Sequence, residues 1–116
     1  MRVHLIKEKT VLDYAKEHAS STGAFVRWVE IIKSGEIVIE KPQDFVDLFG
    51  AKNVDILGKD SNRLCFNVGG NKHRIICSYY FNETINTVTV FVKWIGTHSE
   101  YDALNDRGEQ YTVDKF

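Results

Sequence analysis

Two alternating runs of residues meet at Gly69-Gly70, and that meeting constrains the fold of this chain more than any other feature. Residues 62–68 read as extended, and residues 71–80 return. The glycine pair between them tolerates the positive φ angles of a two-residue hairpin turn. With Gly69 and Gly70 as the whole loop, Val68 faces Asn71, Phe66 faces His73 and Leu64 faces Ile75. One face then carries Leu64, Phe66, Val68, Ile75, Cys77 and Tyr79. The other carries Arg63, Cys65, Asn67, Lys72, Arg74, Ile76, Ser78 and Tyr80, because side chains alternate along a strand.

A turn at residues 82–86 leads into a third strand over 87–95, where Val88, Val90, Val92 and Trp94 alternate with Thr87, Thr89, Phe91 and Lys93. The alternation places Trp94 in the core with the valines. It also predicts that Arg63, Lys72, Arg74 and Lys93 share one exposed sheet surface, while Leu64, Phe66, Val90 and Val92 pack under helices. Just past this strand stand His98 and Tyr101, where the rigid end of a strand holds the next residues in place.

Upstream, Arg2-Val3-His4-Leu5-Ile6 is a short strand that joins the sheet at its edge or centre. Val11, Leu12 and Ala15 mark the inner face of a first helix running from about Lys7 to His18. Ser20-Ser21-Thr22-Gly23 interrupts it, and Phe25, Trp28, Val29 and Ile32 at i, i+3, i+4 and i+7 predict a second amphipathic helix to about Lys33. Ile37-Val38-Ile39 packs irregularly. Pro42 opens a short helix with Phe45 and Leu48 inward and Gly50 as its stop. Residues 54–57 form another strand. After the hairpin, a short helix over 99–104 is capped by Ser99 or Thr97, and Tyr111, Val113 and Phe116 lie in a final extended segment.

At 116 residues, without internal repeat, linker or low-complexity stretch, residues 1–116 form one domain. No apolar run approaches a membrane span and no signal-peptide core comes after the first residues, so a cytoplasmic protein without membrane contact is expected. Cys65 and Cys77 fall on opposite faces of the hairpin and are expected to be reduced. His4, His18, His73 and His98 are too scattered for a structural zinc site, and no metal or cofactor is expected. The net charge of -1 hides an asymmetry: residues 62–98 carry a net +3, residues 99–116 a net −3. A local field of that size attracts a polyanion but supports only modest affinity by itself, so help from a larger assembly is expected.

Phe66-Asn67-Val68-Gly69-Gly70-Asn71-Lys72-His73-Arg74, with Lys93-Trp94-Ile95-Gly96-Thr97-His98 and Glu100-Tyr101-Asp102 after it, resembles the HigB-type toxins of bacterial type II toxin-antitoxin systems. The paired motifs cover the C-terminal half well and the N-terminal half loosely. The resemblance implies a RelE-like small α+β domain, with an N-terminal strand and a helical hairpin packed on a mainly antiparallel sheet. It also implies an mRNA interferase, a metal-independent endoribonuclease usually acting on the ribosome, whose partner is a helix-turn-helix antitoxin of the HigA type.

Metal-free RNA cleavage needs a group to take the 2′-OH proton, cations for the scissile phosphate and an acid for the leaving 5′ oxygen. His98, Arg74, Lys72 and Tyr101 are of the right types, and the resemblance makes them the matching positions. His98 stands as acid or base, Arg74 and Lys72 as phosphate stabilisers, and Tyr101 as a stacking or proton-transfer group. Asn71 and Asp102 are organisers. Arg63, Asn71 and Lys93 are assigned to RNA binding. The plainer readings are that His98 caps a helix, that Arg74 and Lys72 are ordinary surface charges, and that Tyr101 belongs to the core. Two other functions stay open: a catalytically silent relative of the ParE-type toxins that inhibit DNA gyrase, and a non-toxic RNA-binding domain. A binder has no need of His98 with Arg74, which argues against the first.

Overall fold

Gly69 and Gly70 both adopt left-handed φ, +69° and +67°, as a tight reversal requires. In the computed structural model, which describes residues 1–116, the strands they join are β3 (Arg63–Val68) and β4 (His73–Asn82). The loop is four residues long rather than two: Val68 pairs with His73, Phe66 with Ile75 and Leu64 with Cys77. The turn closes through Lys72 N–H on the Gly69 carbonyl at 3.4 Å. β4 is thus displaced by two residues from the expected pairing, and an even displacement leaves every side chain on its expected face.

β5 (Thr87–Thr97) returns beside β4, longer at its end than the alternation predicted. Trp94 pairs with Ile76 but Val92 with Cys77, so Lys93 is an extra residue with no partner. This bulge reverses the parity of β5. Val88, Val90 and Val92 stay with the main core, whereas Trp94 crosses to the opposite face beside Cys65 and Ile76. The expectation that Trp94 shares a face with the valines is corrected by that one residue.

Two edge strands complete the sheet, in the order β1-β5-β4-β3-β2. β1 (Arg2–Ile6) runs parallel to β5, and β2 (Val54–Leu57) runs antiparallel to β3. One face is covered by α1 (Glu8–Lys16), α2 (Thr22–Ile32) and α3 (Pro42–Phe49). Phe25, Trp28, Val29 and Ile32 are all buried, as their spacing predicts. Pro42 opens α3, and Gly50, at φ +94°, closes it by donating its N–H to the Val46 carbonyl. Ile37-Val38-Ile39 has no regular structure; Ile39 is buried and Val38 exposed.

The second face is covered in part by α4 (His98–Asp106) and the C-terminal tail, forming a small core of Cys65, Ile76, Trp94 and Leu104 with Leu57, Tyr101 and Val113 against it. Thr97 caps α4: it accepts from Glu100 N–H at 3.2 Å, and Glu100 Oε1 accepts from Thr97 N–H at 2.8 Å. The tail then crosses the strands. Arg63 Nη1 donates to the Val113 carbonyl at 2.6 Å, and Lys115 N–H donates to the Lys93 carbonyl at 2.9 Å. Tyr111 lies in a short 3₁₀ turn, not in an extended segment, and Phe116 packs against the main core. The expected open cationic face is therefore corrected: most of its upper part is a second core. Both cysteines are free and buried, on opposite faces. No helix is long and apolar enough to cross a membrane.

Candidate active site

The start of β4, the end of β5, the first turn of α4 and the Gly69–Lys72 loop converge on Arg74. This guanidinium is only 7% exposed, and none of the molecule's ion pairs includes it. Its partners are neutral. Nη1 donates to the His73 carbonyl at 3.1 Å; Nη2 donates to Asn71 Oδ1 at 2.7 Å and to His98 Nδ1 at 2.8 Å. A buried charge held by dipoles alone is costly unless a counter-charge arrives, so the arrangement favours an anion.

Arg74 also fixes the state of His98. Arginine can only donate, so Nδ1 must accept, and the proton of the neutral ring lies on Nε2. Nε2 stands 3.5 Å from Asp102 Oδ2, one helical turn away. The His98 backbone is tied in as well, its N–H donating to the Lys72 carbonyl at 2.9 Å. Lys72 itself is exposed, and its ammonium forms no ion pair. The loop thus supplies an acceptor for Arg74, an anchor for His98 and a free cation.

Tyr101 borders this group, with Arg74 Cζ 6.0 Å from its ring centre and Trp94 6.1 Å away. Burial pushes its hydroxyl well above the ordinary phenol range, with Cys65 adding to the effect as hydrogen-bond partner. Cys65 is pushed up to about 12, again chiefly by burial. The ring is a wall of the site, while the hydroxyl belongs to the second core.

Arg63, expected to bind RNA, lies apart from this cluster: it too is 7% exposed, and its guanidinium donates to the tail carbonyls of Val113 and Gln110. Lys93 is on the same side of the sheet, over the Phe91 ring, and pairs with Asp114 at 3.2 Å. The structure brings together His98, Arg74, Lys72, Asn71, Asp102 and the Tyr101 ring, and leaves Arg63 and Lys93 with the tail.

Two features of the neighbourhood are not foreshadowed by the residue pattern. Gly96, opposite Arg74 on β5, lies so close to the Trp94 indole that a Cβ there would collide with it. Behind β4, Tyr14 Oη is 3.1 Å from His73 Nδ1, His18 stacks on Tyr14 at 3.9 Å, and the two imidazoles are 5.2 Å apart. Burial holds His73 below the usual histidine value, with His18 and Lys72 acting the same way and Glu100 opposing. The four-residue spacing of Tyr14 and His18, across the end of α1, is the available signal, together with His73 on the core side of β4.

None of the curated proteins compared with this chain matches it. A family model described as the HigB toxin, RelE-like toxic component of a toxin-antitoxin system, matches residues 21–104, from the start of α2 to within α4 and across every candidate site residue. That is well over half of the sequence, and the chain belongs to this family of RelE-like toxins.

Proposed function

We propose that the chain is a metal-independent endoribonuclease that cleaves mRNA on the ribosome, acts in the cytoplasm and is restrained by a helix-turn-helix antitoxin of the HigA type. The observation that carries the reading is the buried guanidinium of Arg74, which lacks a counter-ion and shares a hydrogen bond with His98. A scissile phosphate supplies the missing negative charge, and Lys72 adds a second cation from the loop. The RNA's 2′-OH attacks that phosphate. His98, oriented between Arg74 and Asp102, moves a proton to or from the reacting oxygens. Bond formation to the 2′ oxygen and departure of the 5′ oxygen leave a 2′,3′-cyclic phosphate and a 5′-hydroxyl. The Tyr101 ring offers an apolar wall against which a base or ribose can rest. One exposed lysine and one guanidinium bind RNA weakly alone, which favours substrate delivered by the ribosome.

The test is induced expression with mapping of mRNA 5′ ends for the parent, His98→Ala and Arg74→Ala. Loss of the proton-transfer group should cost about a hundredfold to ten-thousandfold in cleavage rate, far beyond the effect of losing a helix-end contact worth about 1 kcal/mol. Undiminished cleavage by soluble His98→Ala protein would remove histidine from the chemistry, and cleavage abolished by EDTA would overturn the metal-independent reading.

A further inference from the structure

His73 and Arg74 are neighbours on β4, so their side chains leave the sheet on opposite faces. Arg74 enters the candidate site; His73 points back among the helices, 6% exposed, with Phe25 5.2 Å away and Tyr14 edge-on at 5.6 Å. Such a position usually holds an apolar side chain, since a buried polar ring costs free energy unless its nitrogens are paired. Here both nitrogens are paired. Tyr14 Oη stands 3.1 Å from Nδ1, and a hydrogen bond with the Gly96 backbone favours charge on the ring. An imidazole gains in that way only as a donor, so Nε2 donates to the Gly96 carbonyl and Nδ1 accepts from the Tyr14 hydroxyl. Burial, then His18 and Lys72, hold the ring neutral against the pull of Glu100.

Tyr14 is itself clamped. His18 stacks on its ring at 3.9 Å, Phe25 meets it edge-on at 5.3 Å, and His18 Nδ1 donates to the Tyr14 carbonyl at 2.8 Å. The hydroxyl therefore has a fixed place from which to hold His73. What His73 holds in turn faces the site. Its carbonyl accepts from Arg74 Nη1 at 3.1 Å, and across the ladder it pairs with Thr97, the cap of α4, which has Gly96 just before it and His98 just after. A displacement of the ring reaches both the guanidinium and the imidazole of the site through this backbone.

We propose that Tyr14 and His73 are positioning residues: a hydrogen-bonded strut from α1 to the sheet that sets the spacing of Arg74 and His98. The proposal rests on the assignment of those two residues to RNA cleavage. Neither member of the strut touches RNA, because the sheet lies between. A misplacement of about 1 Å in a catalytic group costs up to about a hundredfold in rate, so a softened strut lowers kcat and leaves KM alone. A role in stability only would rank the variants differently. In a buried pocket leucine is the better replacement for His73. For the strut asparagine is better, since its side-chain oxygen keeps an acceptor where Nδ1 stood.

The experiment measures kcat and KM for cleavage of mRNA on purified ribosomes, with melting temperatures, for the parent, Tyr14→Phe, His73→Asn, His73→Leu and Val11→Ala. The last loosens α1 at a buried residue that is not a member of the strut. Tyr14→Phe and His73→Leu should lower kcat about tenfold at unchanged KM. His73→Asn should keep more of the rate than His73→Leu, whatever their melting temperatures, and Val11→Ala should melt lower at the parent's kcat. The Cε1–H resonance of His98, read by NMR without RNA, should move in Tyr14→Phe and stay in Val11→Ala. The parent's kcat in Tyr14→Phe and His73→Leu, or an equal loss in Val11→Ala, would overturn the proposal, as would an unmoved His98 resonance in Tyr14→Phe. Because the resonance is read without substrate, it tests the strut even if the parent cuts no message, and failure of the strut is told apart from failure of the cleavage assignment.

Discussion

Arg63 and Arg74 lie on the same sheet face and are equally buried, yet they do opposite things. Arg63 meets two backbone carbonyls and the field of the Asp114 carboxylate, whereas Arg74 meets an amide, a carbonyl and an imidazole with no carboxylate among them. No alternation pattern separates two such residues, because the difference lies in what crosses above them. His73 is a third case, and it titrates. Its folded value is depressed below 6.5 by burial, His18 and Lys72, so the unfolded chain takes up the proton first as pH falls. The stability tied to His73 is fully present above about pH 6.5 and declines below it. Thermal unfolding tracked between about pH 7.5 and 5.5 should show the parent losing stability and His73→Phe losing less. Parallel curves for the two proteins would rule out His73 as the source. Glu100, held low by its hydrogen bond to Thr97 N–H, adds a separate loss only below about pH 4.5.

Among the elements, β5 decides the most. Read from its residues, it is a simple valine alternation ending at a tryptophan; in the folded sheet the unpaired Lys93 turns Trp94 to the other side and brings Gly96 under the indole. The bulge was not legible because it reflects how β5 fits β4, not any preference of Lys93. The strands themselves, the faces of β3 and β4, the buried stripe of α2 and the cap of α4 were legible, since each is governed by spacing within about ten residues. The hairpin register differs from the expected one by two residues, which leaves those faces intact. A methyl group at Gly96 must displace the indole, and overpacking of this kind costs about 1–3 kcal/mol. Gly96→Ala should lower the melting temperature and reduce toxicity together, because Trp94, Tyr101 and Arg74 are neighbours. Restoration by the double variant Gly96→Ala, Trp94→Leu would place the cause in the indole; no restoration would place it in the backbone.

Across the whole molecule, the parts that sequence alone concealed are those joined over long separations: Tyr14 to His73, Arg63 to Val113, Lys93 to Asp114. The tail is the clearest. Residues 105–116 lie beyond the family match, yet Val113 covers the second core, and the Lys115 N–H bonds β5 past the end of β1. Removing residues 112–116 strips the Val113 cover and the strong bond to Arg63, a loss on the order of 2–4 kcal/mol. The shortened chain should melt lower and lose toxicity, read from thermal unfolding and from growth on induction. Full toxicity in the shortened chain would mean that α4 holds His98 in place unaided.

Every copy of the protein passes through that shortened state while it is being made. Arg63 is translated 50 residues before Val113, whose carbonyl anchors it. A growing chain therefore carries an unfinished second core until the strap that closes over it has emerged from the ribosome. Synthesis order alone makes the second core the last part of the molecule to close, after the strands and the helix that it joins have emerged.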